Sequence, residues 1–494
     1  MSWLQAGPYF LGTESFYHAK MVESLENSLK LDNFSWLQST NYSNSFTDSN
    51  WLYHIFLSLF VGVLPTFLVI KIFAALFSAL LALYVYYWLT KHNGFLPGLF
   101  VLLLFSIIPF AISINNLGAI SAALFVLLVG LEFVVNYRYW QLGVLSITLT
   151  LLTGQFIFLF VIALLWLLIE LIYNKYKLDM FREGLSSIKD WVLRKLGLRS
   201  KTSRRKWLIL IFCLFGIVIG LMVNPYWPES TSFYKELIAN KNTNTFSGVY
   251  NSFVSLISSA KLLFIIFLSS VFSVVYLNKR IVKLTAFLLL LTFVFVLNTL
   301  LFSWGIEFTY LIIILTTSLI LRDCFGSLGL WSAWNSHKRN TNLVRAGIVI
   351  ATIIILFIPL KGYYVLNKDG DFYPLNYMQE AAEWLYYHIP DNALVINTDY
   401  EDWAPLFYYN DNNRYWWGLS NNIMNNAQKS SRNDLIGIID GSSNKNPYAL
   451  FKGSFKADYL LVNSRRNILN SRLTDNIYFS LVYSDEDCYI YEIQ

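Results

Sequence analysis

The chain has 494 residues, of which 56% are hydrophobic, 18% aromatic and only 14% charged. A soluble domain carries about 25% charged residues. The mean hydropathy of +0.47 and apolar runs near 20 residues therefore exclude an ordinary soluble enzyme and read as a polytopic membrane protein. The net charge of +6 is gathered in segments beside the apolar runs, where it reports topology and argues against nucleic acid as a partner.

In chain order, residues 1–50 are polar, acidic and histidine-bearing, and residues 1–13 have neither the basic region nor the apolar core of a signal peptide. Residues 51–63 are apolar but too short to span, and read as an interfacial helix with Trp51 and Tyr53 at headgroup level. Candidate spans follow at about 66–89, 95–111, 117–135, 139–153 and 155–174. The basic stretch 175–206 places Leu178, Phe181, Leu185, Ile188, Val192 and Leu196 at helical spacing. It reads either as an amphipathic helix on an anionic leaflet or as a solvated cytoplasmic linker. Further spans fall at about 207–224, 258–277, 283–302, 306–321 and 345–364. Placing the basic loops inside gives ten crossings, with residues 1–50 and 365–494 extracytoplasmic.

The tail alternates helical and strand patterns. Helices are expected at 377–388, 402–409 and 433–439, and strands at 393–397, 414–418 and 458–463, with a terminal hairpin over 478–484 and 487–493. The expected architecture is thus a first polar loop (1–50), a transmembrane α-helical bundle (51–364) and an extracytoplasmic α/β domain (365–494). Cys213, Cys324 and Cys488 are far apart and make neither a disulfide framework nor a zinc site. Nucleotide-binding glycine loops are also missing.

Polar groups facing a membrane cavity are costly and tend to be functional. On a helix, Glu14, Tyr17 and His18 share one face at i, i+3 and i+4. Glu14 there can act as a general base on an acceptor hydroxyl or as an oxygen ligand to a divalent cation; an interfacial helix with a solvated Glu14 is the plain alternative. Asp48, six residues before His54, is the second acid of this loop. It can divide catalytic roles with Glu14 or simply N-cap the helix after it. Asn224 and Tyr226 in Asn224-Pro225-Tyr226-Trp227-Pro228 end a span, where prolines stop the helix. Glu307 sits at the mouth of another span and can bond a sugar hydroxyl or face headgroups.

The order of several short motifs resembles the GT-C membrane glycosyltransferases, the polyprenyl-phosphate-dependent group of oligosaccharyltransferase catalytic subunits and protein O-mannosyltransferases. The motifs are Glu14-Ser15-Phe16-Tyr17-His18, Phe34-Ser35-Trp36-Leu37, Asp48 to His54, Asn224-Pro225-Tyr226, Ile306-Glu307-Phe308 and Asp402-Trp403-Ala404-Pro405-Leu406-Phe407. The resemblance implies inverting transfer of a sugar from a polyprenyl-phosphate donor to an envelope glycan, lipid or protein acceptor. Glu14 and Asp48 are implied as catalytic groups or ligands of magnesium or manganese. Tyr17, His18, His54, Asn224, Tyr226 and Glu307 are implied around the substrate, with membrane lipids as surroundings. It also implies a helix ahead of the first outer loop, which this sequence lacks.

Three positions depart from the family's pattern: Glu14 stands for Asp, residues 113–116 are Ser-Ile-Asn-Asn where an Arg is usual, and Trp304-Gly305 replaces an Arg. Lys235, Lys241 and Lys261 are the remaining outer-face cations for a donor phosphate. A non-catalytic relative that binds or assembles envelope glycans is the alternative. A transporter fits less well, because the spans read as nearly free of charge and show no repeat.

Overall fold

The structure is a computed structural model that describes residues 7–31, 34–40, 46–179, 201–231, 234, 256, 260–276, 281–302, 305–325, 372–418, 429–443 and 445–494. A short strand β1 (Tyr9–Leu11) leads into helix α1 (Glu14–Ser24), followed by α2 (Trp51–Ser58). The bundle continues through α3 (Thr66–Lys91), α4 (Pro97–Ser106), α5 (Ile108–Asn115), α6 (Ile120–Val135), α7 (Tyr139–Leu152) and α8 (Ile157–Asp179). It is completed by α9 (Lys201–Val223), α10 (Lys261–Tyr276), α11 (Lys283–Phe302) and α12 (Ile306–Phe325). Among the described residues, three helical stretches are long and apolar enough to cross a membrane: Thr66–Lys91, Lys206–Val223 and Lys283–Leu301. The pair α4 and α5 makes a fourth if taken as one bent span. Shorter apolar helices, Ile120–Val135, Tyr139–Leu152, Ile157–Ile172 and Leu263–Phe272, fall at four more of the ten crossings expected from charge counting. The expected span 345–364, the amphipathic stretch 178–196 beyond residue 179, and Lys235 and Lys241 lie outside the described residues.

The run 95–111 is not one straight span. It turns by 80° between α4 and α5. Pro109, in the first turn of α5, carries no N–H to continue α4, and Ile107 goes extended at ψ 110°. The bend lays α5 against α3, α6 and α12.

Two helix pairs show how apolar helices find each other without a hydrophobic gain in lipid, by close approach of small residues. On α9, Gly216 and Gly220 sit so near α7 that a Cβ at 216 would lie 2.3 Å from the Gly143 carbonyl oxygen, and one at 220 would lie 2.7 Å from Thr150 Cβ. Between α11 and α12, buried threonines bond across the interface, Thr292 to Thr316 at 2.8 Å and Thr299 to Thr309 at 2.7 Å. The helices are not free of charge. Lys71 in α3 is buried, Glu132 in α6 holds Lys91 and His92, and Glu170 in α8 holds Lys206 and Lys283. Each charge has a partner, as burial in an apolar medium requires.

The C-terminal part carries β2 (Phe372–Pro374), α13 (Gln379–His388), β3 (Leu394–Asn397), α14 (Trp403–Tyr409), β4 (Arg414–Tyr415), α15 (Lys429–Ile439), β5 (Tyr459–Asn463), α16 (Asn467–Thr474), β6 (Phe479–Ser484) and β7 (Cys488–Ile493). Five strands form one sheet in the order β4-β3-β5-β7-β6, parallel at β4-β3-β5 and antiparallel at β5-β7-β6. Residues 36–39 bond alongside β4, through Tyr415 N–H to Trp36 O at 2.7 Å and Gln38 N–H to Tyr415 O at 2.9 Å. In addition, β1 pairs antiparallel with β2. The sheet region therefore grips the first polar loop by two backbone seams. Trp403 on α14, fully buried, stacks on Phe407 at 4.9 Å and meets Tyr17 of α1 at 5.9 Å.

Candidate active site

Gly12 ends β1 at a φ of +80°, a left-handed turn that glycine adopts without strain, and aims the chain into α1. That leaves Glu14 exposed in the first turn of α1, where the helix dipole favours a negative charge, with Ser15, Phe16, Tyr17 and His18 buried behind it. The bent helix α5 meets this turn. Asn116, at the C-terminal end of α5, donates from Nδ2 to Glu14 Oε2 at 3.3 Å and accepts from Ser15 Oγ at 3.2 Å. One turn earlier on α5, Ser113 Oγ donates to Glu307 Oε1 at 2.8 Å. Glu307 is half-buried in the first turn of α12. Two carboxylates from distant parts of the chain thus share one helix end, through residues three apart on the same face of α5. Ser113 and Asn116 stand out in the sequence only as the place without an arginine.

The acid expected beside Glu14 lies deeper. Asp48 is 1% exposed and His54 is fully buried. Asp48 Oδ1 accepts the Asn50 N–H at 2.9 Å, an Asx turn leading into α2, for which Asn50 and not Asp48 is the cap residue. Asp48 Oδ2 lies 2.6 Å from His54 Nδ1, and His54 Nε2 lies 2.8 Å from His18 Nδ1. The loop after α5 closes over these rings. Tyr53, buried in the protein and not at headgroup level, donates to Leu117 O at 3.0 Å, and a Cβ at Gly118 would lie 2.9 Å from His18 Nε2. Burial, with His54 alongside, holds His18 well below the usual histidine range, so its ring stays neutral at neutral pH. Burial raises Tyr234, and the nearby Asp48 adds to the shift.

With this arrangement in view, the fold can be compared with known structures. The chain superposes on the crystal structure of ArnT from Cupriavidus metallidurans in the apo state with a TM-score of 0.52 at 11% identity, covering 99% of this chain and 95% of that one. The chain has the GT-C fold. No family model matches it, and no curated protein matches it.

Within this GT-C fold Glu14 and Asp48 are held by different partners. Both Asp48 oxygens hold protein donors, and Glu14 faces Asn116. Among the described residues no group of three or more His, Cys, Asp or Glu is placed to hold a metal ion. Asn224 and Tyr226 shape the loop after α9. Asn224 Oδ1 accepts the Tyr226 N–H at 3.0 Å, and Tyr226 Oη accepts the Leu31 N–H at 3.0 Å while meeting Phe46 edge-on at 5.5 Å. Both are buried, and Tyr226 fastens Leu31 and Phe46 to the loop after α9. Tyr17 lies between His54 at 6.1 Å and Trp403.

Two lysines lie at this end of the GT-C bundle, and the sequence reading missed Lys71. Lys71 donates to Gly7 O at 2.6 Å over the Phe10 ring. Lys20 pairs with Asp411 at 2.9 Å. A lone lysine in an apolar run is the signal that marks Lys71.

A second polar centre sits inside the sheet region. Asp402, 1% exposed, accepts from Tyr377 Oη at 2.9 Å and from Asn463 Nδ2 at 2.9 and 3.1 Å. Burial, aided by Asp399, pushes Asp402 up to about 7.

Proposed function

We propose that the chain is a membrane glycosyltransferase of GT-C type that moves a sugar, with inversion, from a polyprenyl-phosphate donor to an envelope glycan, lipid or protein acceptor. The observation that carries this reading is the meeting of Glu14 and Glu307 on the end of α5, through Asn116 and Ser113. Carboxylates that accept hydrogen bonds from fixed donors are preorganised to receive sugar hydroxyls, and they need no reorganisation as charge develops. Glu14 is exposed and orients the attacking hydroxyl; half-buried Glu307 fixes the sugar. The polar end of the bundle lies with the sheet region on the extracytoplasmic side, where lipid-linked sugars are the available donors.

The experiment uses purified protein in lipid nanodiscs, radiolabelled polyprenyl-phosphate sugars and crude envelope acceptors. Wild type transfers label. Glu14→Gln lowers kcat by about 10²-fold or more, and Glu307→Gln raises KM. Transfer that survives both substitutions refutes the site. Glycan binding without transfer from any donor supports the non-catalytic alternative.

A further inference from the structure

The C-terminal sheet changes direction beside β3. The chain leaves β3 through α14 for β4 on one side, then passes through α15 to β5 on the other. All three strands run parallel. Helix α14 shares a core with Val395, Tyr415 and Leu461 on one face, and α15 shares one with Leu394, Ile396 and Leu460 on the opposite face. Connections that part to opposite faces open a crevice beyond the carboxyl ends of β3 and β5, the place where open α/β sheets bind ligands. Its floor is polar and already set. The Asn463 N–H donates to Thr398 Oγ1 at 3.1 Å, and Asn463 Nδ2 holds the buried Asp402.

The mouth of the crevice reaches solvent. Past β3 come Asp399, Tyr400 and Glu401, and past β5 come Arg465 and Arg466. Arg466 bonds Asp399 from Nε at 3.0 Å and lies 3.7 Å from Asp440. Half-buried Glu401 accepts from Tyr373 Oη at 2.9 Å, which orients its carboxylate and leaves it acceptor sites to spare. Exposed Arg465 stands over the Tyr373 ring at 5.8 Å and makes no ion pair among the described residues. Tyr400 keeps 36% of its surface exposed, its ring 5.7 Å from that of Trp417. Three carboxylates face two guanidinium groups, so the mouth holds no excess positive charge for a phosphate. A sugar ring suits it: hydroxyls donate to a carboxylate and accept from a guanidinium, and the C–H face lies on an aromatic ring.

We propose that this crevice binds a neutral, hydroxyl-rich glycan, with Glu401 and Arg465 on the hydroxyls of one sugar and the Tyr400 ring under a neighbouring one. The crevice is distinct from the Glu14–Glu307 rim but tied to it. Tyr373 lies in register with Phe10 of β1, four residues before Glu14. Trp403, directly after Asp402, meets Tyr17 of α1 at 5.9 Å. A glycan held here is kept beside the first polar loop, which raises its effective concentration at the rim. Calling that glycan the acceptor rests on the glycosyl-transfer reading; its binding does not.

The test titrates the full chain in nanodiscs by calorimetry. The probes are short neutral oligosaccharides of glucose, mannose and N-acetylglucosamine, with oligogalacturonate as the anionic control. At least one neutral series binds, and the anionic control does not. Glu401→Gln and Arg465→Ala each weaken that binding by about tenfold. Tyr400→Ala weakens it by about as much, whereas Tyr400→Phe, which keeps the ring, binds like wild type. Thermal melting like wild type separates a lost contact from misfolding.

In the transfer assay the same variants raise KM for the acceptor with kcat held. Binding that survives Glu401→Gln, Arg465→Ala and Tyr400→Ala overturns the proposal, as does binding of oligogalacturonate in place of the neutral series. A chain that transfers sugar but binds none of the neutral probes also overturns it and leaves the transfer reading standing. Binding that depends on the crevice, in a chain inert toward every donor, supports the glycan site and overturns the transfer reading.

Discussion

Asp402→Asn in the sheet region should reverse the order of stability of mutant and wild type as pH rises. Asp402 is buried and pushed from the ordinary carboxylate value of 3.8 up to about 7. Because the folded value lies above the unfolded one, the native state binds more protons between those two pH values. Its contribution is therefore fully present below about pH 3.8 and is lost as pH climbs through about 7. At 1.36 kcal/mol per unit, a rise of about three units amounts to about 4 kcal/mol over that window.

The asparagine variant is neutral at every pH. Its amide NH2 meets Asn463 Nδ2, a donor facing a donor, which costs about 1–3 kcal/mol independently of pH. In acid, wild type is the more stable; above pH 7, the variant is. Thermal melts of both proteins across this range, followed by near-ultraviolet circular dichroism in matched nanodiscs, measure the difference. Histidine contributions such as that of neutral His18, which favour the fold as pH rises through the histidine range, are common to both proteins and cancel. A gap that stays constant, or that widens in favour of wild type as pH rises, refutes the reasoning.

Three further outcomes follow from the packing and the rim. Gly216→Val drives a side chain into the α7 backbone, where even a Cβ lies 2.3 Å from an oxygen; it should destabilise the protein by about 1–3 kcal/mol, read as a lower apparent Tm, while Leu214→Val on the exposed side of α9 should leave it unchanged. Ser113→Ala deletes one hydrogen bond to the Glu307 carboxylate and should raise KM for donor by about tenfold, or ~1.5 kcal/mol, with kcat held. Lys20→Met removes a partly exposed pair with Asp411 and should shift stability by less than about 1 kcal/mol, measured by the same melts.

The membrane class, the positions of most helices and the alternation of the tail were legible because apolar length and periodicity survive in any context. The tail helices at 379–388 and 403–409 and the strands at 394–397 and 459–463 fall within a residue or two of the patterns. What composition hides is the bend at Pro109, since a run of apolar residues looks the same straight or turned. The pairing of Glu14 with Glu307, 293 positions apart, depends on that bend and was not legible. Asp48 and His54 were visible as a pair of residue types, but only tertiary packing shows that they are sealed off and wired to His18. Helix α16 escaped notice because Asn467–Thr474 is polar and weakly periodic. Strands β1 and β2, three residues each, are too short to carry a pattern, and neither predicts the other.

That short pairing also has a consequence for how the protein is made. Strand β1 at Tyr9–Leu11 is synthesised about 360 residues before its partner at Phe372–Pro374. At about 5–20 residues per second, the wait is roughly 20–70 s. During it, Phe16, Ala19 and Val22 of α1, buried in the finished protein, have no α14 to cover them. Closing a loop of that length is slow to search but adds little extra entropy per residue. The polar first loop therefore cannot take its final shape until Phe372–Pro374 has been made, after every helix from α2 to α12.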